Sequence, residues 1–140
     1  MAFNGKLIEL KTGNSYVNFP MDYIAADSYS ITPNQRMESS ANRATSGKLV
    51  RETVNHTASK IEFETPPITN KEVAAMNLLF SNAFTNALKR EMDIRYYDPE
   101  TDTYKEGHIY MPDTQYPIYR VDLNTNTIYY QKLRFAMIEC

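Results

Sequence analysis

The sequence predicts an α+β, mainly β domain in which one helix packs on an antiparallel sheet. Three observations predict it. Polar and apolar residues alternate over short runs, as in 58–64, where Ile61 and Phe63 fall on one face and Lys60, Glu62 and Glu64 on the other. One stretch switches to helical spacing, with Val73, Met76, Leu79, Phe80, Ala83, Phe84, Ala87 and Leu88 forming a continuous stripe. The aromatic residues are 11 Tyr and 6 Phe with no Trp, and Tyr favours strands and interfaces.

A length of 140 residues fits a single domain, 1–140, large enough to bury a core without disulfides. The formal net charge of −2 excludes a generally basic nucleic-acid-coating protein and leaves room for a local patch. Cys140, the only cysteine, can form no intramolecular disulfide, and its plain reading is an exposed, incidental thiol. Met1–Lys11 lacks the apolar region of a secretory signal, and no stretch approaches the length of a bilayer span. The expectation is a chain that folds in a reducing cytoplasm.

The elements follow in order. Residues 6–10 read as a first strand, closed by the turn-like Thr12-Gly13-Asn14. Residues 15–32 hold β-formers interrupted by Pro20, giving two short pieces or an edge strand. Residues 33–47, rich in Ser, Asn, Arg and Ala, read as a long polar loop or arm. Residues 48–54 and 58–64 look like a strand pair joined at Asn55-His56-Thr57, and Pro66-Pro67 stops the second strand. Thr69 and Glu72 have capping-box spacing, and Ile68 and Val73 occupy staple positions, so a helix is expected over about 70–90. Lys89 and Arg90 would then lie in its last turn, facing the negative end of the dipole. Strands at 92–97 and 104–111 flank the turn Asp98–Asp102. A second hairpin joins 117–123 to 127–138 through Asn124-Thr125-Asn126.

Chemistry-bearing motifs are sparse. The chain lacks a phosphate-cradling or nucleophile-elbow glycine motif. His56 and His108 lie far apart in polar contexts, and no spacing requires a catalytic or metal role for either. Asp93, Asp98, Glu100 and Asp102 lack the spacing of an EF-hand loop and read as a solvated turn that Asp98 caps. No catalytic, cofactor-binding or metal-ligating residue is assigned. Residues 34–60 carry a local charge of +3, suited to an acidic neighbouring subunit or a phosphate backbone. No aromatic residue is interleaved there to stack on single-stranded nucleic acid. Arg36, Arg43 and Arg51 are the expected arm contacts. Tyr96, Tyr97, Tyr110, Tyr119 and Tyr130, all in the C-terminal meander, are the expected interface area.

Residues 30–140 resemble the small tail proteins of siphophages and prophages of Gram-positive bacteria. The resemblance is carried by the order and spacing of short pieces. These are Ser46-Gly47-Lys48-Leu49-Val50-Arg51, Lys60-Ile61-Glu62-Phe63, Ile68-Thr69-Asn70-Lys71-Glu72, Tyr96-Tyr97-Asp98-Pro99, Ile109-Tyr110-Met111 and Leu133–Glu139. It implies a β-sandwich or open barrel flanked by one helix, in subunits that join into rings by sheet extension and loop exchange. It implies no enzyme activity, no cofactor, no membrane and no small-molecule substrate. The implied partners are copies of the chain and adjacent tail proteins in the tube, distal-tail or baseplate neighbourhood, with DNA only as passing cargo. The implied location is the virion tail, assembled in the host cytoplasm. Two alternatives stay open: a head–tail connector or completion protein, and a small-ligand or enzymatic β domain with a Tyr- and Phe-lined pocket into which His56 or His108 points.

Overall fold

The computed structural model describes residues 2–43 and 49–140, with 36–43 and 49–57 described as backbone. The strands are β1 (Ile8–Thr12), β2 (Ser15–Asn18), β3 (Ser30–Arg43), β4 (Leu49–Glu64), β5 (Ile68–Thr69), β6 (Phe84–Asn86), β7 (Glu91–Asp98), β8 (Thr103–Tyr110), β9 (Ile118–Asp122), β10 (Thr127–Tyr130) and β11 (Arg134–Glu139), with helix α1 at Asn70–Ala83. All pairings are antiparallel. One sheet runs β2-β1-β7-β8-β11-β4-β3, with β6 added on β7, and a smaller sheet runs β5-β10-β9. The sheets form a sandwich-like fold that is not a closed barrel. β2 and β3 stand at opposite ends of the long sheet.

Period two sets the core-facing side of each strand. In β7, Met92, Ile94, Tyr96 and Asp98 are buried, while Asp93, Arg95 and Tyr97 are half-exposed. β11 buries Phe135 and Met137 and also the small Ala136 between them, with Leu133 buried just before the strand. Helix α1 lays Val73, Met76, Phe80 and Ala83 into the core. Phe80 stacks on Phe19 at 5.4 Å between ring centroids and tilts against Phe135 at 5.5 Å. Phe63 closes the cluster, 5.5 Å from both Phe19 and Phe135. Each of these large side chains stabilises the fold by about 1.5–3 kcal/mol through its burial. The capping box is formed: Glu72 N–H donates to Thr69 Oγ1 at 3.5 Å, and Thr69 N–H to Glu72 Oε1 at 3.1 Å.

Four boundaries differ from the sequence expectation. The helix ends at Ala83, because Phe84–Asn86 leave it as β6 to pair with Met92 and Glu91 of β7. Lys89 and Arg90 therefore lie in a turn, where Asn86 Oδ1 accepts from Lys89 N–H at 3.1 Å, and Leu88 is 95% exposed. Residues 49–64 form one strand rather than a pair, so Asn55-His56-Thr57 makes no turn. The polar arm is not an irregular loop over its described part: 33–43 belong to β3, paired with β4. Its remainder, 44–47, lies outside the described residues. Residues 127–138 split into β10 and β11 in different sheets, because Leu133 is drawn into the core and its N–H meets Thr65 Oγ1 at 3.1 Å. The 98–102 turn is capped as expected, with Glu100 N–H on Asp98 Oδ1 at 2.9 Å, yet Asp98 is wholly buried rather than solvated. No helix among the described residues is long and apolar enough to cross a membrane.

Candidate assembly surface

Two features of the fold present backbone and apolar area outward. The first is the β3–β4 hairpin. β11 pairs with β4 only along Lys60–Glu64, whereas β3 pairs with β4 out to Arg43↔Leu49. Residues 35–43 and 49–58 thus ladder onto each other, projecting roughly 25 Å by strand rise. Register shifts between Thr32 and Gln35, Arg36 and Glu38, and Glu38 and Ser40 mark bulges, which bend and twist such ribbons.

A polar network fixes the root of this hairpin to the body. Asn34, at φ 52°, donates its N–H to Ser59 Oγ at 3.0 Å and its amide Nδ2 to Asp98 Oδ2 and Glu100 Oε1, both at 3.2 Å. Ser59 N–H donates to Glu139 Oε1 at 2.8 Å, and Ser59 Oγ lies 3.0 Å from Tyr96 Oη. The Lys105 ammonium sits 2.7 Å from Asp98 Oδ2. Burial alone would raise the Asp98 pKa, but Lys105, Glu100 N–H and Asn34 together hold it below the usual carboxylate range. Strands β3, β4, β7, β8 and β11 therefore meet at one satisfied polar knot.

The second feature is β9, an edge strand of the small sheet. It exposes Ile118, Tyr119 and Val121, and Leu123 follows it at 82% exposure. Tyr119 is 70% exposed. Beside it lies an open groove of about 340 Å³ lined by Pro67, Tyr119, Tyr130, Gln131 and Lys132. Apolar side chains along an open strand edge are a template for pairing with another chain unless something covers them.

The sequence-predicted interface residues divide accordingly. Tyr119 lies on the β9 edge, Tyr110 is exposed at the end of β8, and Tyr97 is half-exposed, donating to Asp102 Oδ1 at 2.7 Å. Tyr130 is half-buried and packs against the core, edge-on to Tyr116. Tyr96 is a correction: it points inward at 2% exposure, because its β7 position is in phase with Met92 and Ile94, so it offers no surface. Arg36, Arg43 and Arg51 fall on the hairpin, where the backbone alone is described. His56 lies there too.

Sequence reasoning missed a cluster on the other face of β7. His108 Nδ1 lies 2.7 Å from Asp93 Oδ1, and Nε2 lies 3.1 Å from Glu91 Oε1. The Asp93 hydrogen bond, then that of Glu91, raises the His108 pKa, so the two carboxylates favour the protonated ring. The signal was present in the hairpin register: with a turn at 99–102, Asp93 falls opposite His108 and Glu91 two residues away on the same face. Cys140 joins the cluster through the end of β11, its N–H donating to the His108 carbonyl at 3.0 Å.

No curated protein matches the chain in sequence. Among solved structures it is similar in fold to a chain in "Tail of empty GTA particle computed with helical refinement, C6 symmetry", at 14% identity and a TM-score of 0.50, with 99% of this chain and 95% of that chain covered. A model of a whole family spans all of residues 1–140, and the chain belongs to that family, described as "Family of unknown function (DUF6711)".

Proposed function

We propose that this chain is a structural virion protein of a phage or phage-derived tail, assembling as a ring of copies in the tail tube or baseplate region. The observation that carries the reading is the likeness of fold, over 99% of the chain, to the tail of a C6-symmetric GTA particle. GTA denotes a phage-like gene transfer agent. In this reading the protein has no catalytic role. Its partners are its own copies and adjacent tail proteins, and DNA only passes through. Assembly takes place in the host cytoplasm and ends in the virion tail.

The mechanism is completion of open edges. Among the described residues β9 has no strand partner on one side and carries apolar side chains on both faces, so strand addition from a neighbour satisfies the first and covers the second. The hairpin, fixed at its root by the Asn34–Ser59–Asp98 knot, reaches across to the adjacent subunit. A rigid root limits the entropy lost when the outer part docks.

Electron microscopy and solution mass of the purified full chain test this. Rings or concentration-dependent oligomers are expected. The double variant I118K/V121K should lower the assembled fraction at unchanged circular dichroism and melting temperature, because both positions are exposed in the isolated chain. A monodisperse monomer at high concentration, with no tail particle containing the protein, would sink the proposal.

A further inference from the structure

The geometry points to a divalent transition-metal site, Zn2+ by its ligand chemistry, formed by Glu91, His108 and Cys140, with Asp93 orienting the imidazole. The three side chains come from three strand segments that the sheet brings to one spot. Glu91 opens β7, and His108 lies across from Asp93 on β8. Cys140 follows β11, whose Ile138 and Glu139 pair with Tyr110 and Ile109. One ligand atom from each, a carboxylate oxygen, a ring nitrogen and the thiol sulfur, lies within 4.8 Å of the other two. In a tetrahedral zinc site, bond lengths near 2.0–2.3 Å place ligand atoms about 3.3–3.8 Å apart. The His108 Nε2 to Glu91 Oε1 separation of 3.1 Å is already close to that spacing, and the thiol sulfur lies within 4.8 Å of the carboxylate and ring atoms.

Two further features fit a cation. Asp93 Oδ1 accepts a hydrogen bond from Nδ1–H at 2.7 Å, which leaves Nε2, on the Glu91 side, as the nitrogen free to ligate. A carboxylate on the far nitrogen of a ligating histidine fixes its tautomer and raises its basicity. The Glu91 carboxylate oxygen stands within 4.8 Å of the Cys140 sulfur, so the thiol faces negative charge. A bound dication reverses that field and favours the thiolate. The mixed sulfur, nitrogen and oxygen set selects zinc-like ions over calcium or magnesium, which take oxygen ligands. Binding displaces the Nε2 proton shared toward Glu91 and the thiol proton, both released to solvent. Three protein ligands leave a fourth position for water, and the ion ties the end of β11 to the β7–β8 hairpin.

Cobalt titration of the reduced full chain tests the site without reference to tail assembly. One Co2+ per chain is expected, with a thiolate-to-cobalt charge-transfer band in the near ultraviolet, tetrahedral visible bands and displacement by Zn2+. C140S should abolish the charge-transfer band and H108Q the tight binding, while D93N should weaken affinity about 10–100-fold. Circular dichroism of each variant confirms folding, which these partly exposed positions should not disturb. A wild-type chain without the charge-transfer band, or C140S with unchanged zinc affinity, overturns the site, and unchanged affinity in D93N removes Asp93 from it.

Discussion

Asp98 shows how one side chain joins the hairpin to the body. Its carboxylate is wholly buried, and it accepts from the Glu100 N–H, the Asn34 amide and the Lys105 ammonium. Its pKa is lower folded than unfolded, so ionised Asp98 contributes stability that is fully present above the unfolded carboxyl value of about 3.9 and is lost as pH falls through the folded value. Asp98→Asn keeps the shape and removes the charge. It should lower stability at pH 7 by about 1–3 kcal/mol, read from urea unfolding, and the gap to the native chain should close as the pH drops below about 3.9. A gap that stays constant down to acid pH would exclude the charge as its cause. Gly107 matters to the same knot through space rather than conformation. A Cβ there would stand 2.9 Å from Glu139 Oε2 and 3.4 Å from Tyr96 Cε1. Gly107→Ala must push the carboxylate aside and so weaken the Ser59 N–H bond. We expect a loss of about 0.5–1.5 kcal/mol and faster hydrogen exchange at the Ser59 amide.

Helix α1 is the element whose sequence and structure agree best, and its two ends teach different things. Its start is written locally: Thr69 and Glu72 form the reciprocal cap, and Ile68 is buried beside it. Thr69→Ala should cost about 1 kcal/mol in thermal or urea unfolding. Phe80→Ala, which removes the ring packed between Phe19 and Phe135, should cost about 3–5 kcal/mol in the same measurement. The end of the helix is not written locally. Phe84 and Ala87 continue the helical stripe, but pairing of Phe84 with Met92 captures the chain into β6. The same competition hides the join at 131–133, where two β-runs read as one until Leu133 turns into the core. The unbroken β4 strand escapes sequence reading for the opposite reason. Asn55-His56-Thr57 has turn composition, yet the β3 partner strand, itself polar and without a period-two pattern, pairs with β4 before it at Thr53 and at its end at Thr57. The His108 cluster was legible only through hairpin register, and Cys140 joins it through a contact between β8 and β11 that no local pattern encodes.

At the scale of the whole molecule, the apolar core and the outward hairpin are separable. The buried residues run from Ile8 to Met137, and none of the described ones lies between Phe19 and Ser59. Gln35 and Ala58 face each other across the ladder just beyond the Asn34–Ser59 anchor, so residues 36–57 can be replaced by an Asn-Gly turn without cutting that anchor. The shortened chain should fold to the same body, with the same near-ultraviolet circular dichroism and a melting temperature unchanged or raised, since a shorter loop loses less entropy on closure. Its denaturant m-value should fall, because less surface is exposed on unfolding. If the hairpin docks on a neighbouring subunit, as proposed, the same variant should no longer form the oligomers of the full chain. I118K/V121K removes the other contact while leaving the hairpin intact. Mixing the two variants then decides how the contacts are arranged. In a head-to-tail ring each interface takes one hairpin and one β9 edge, so each variant keeps the half the other lacks. Mixed pairs with one full interface should appear by native mass spectrometry, while closed rings should not. If the mixture stays monomeric, hairpin and edge do not act in separate halves of the interface, and the two-contact arrangement is wrong.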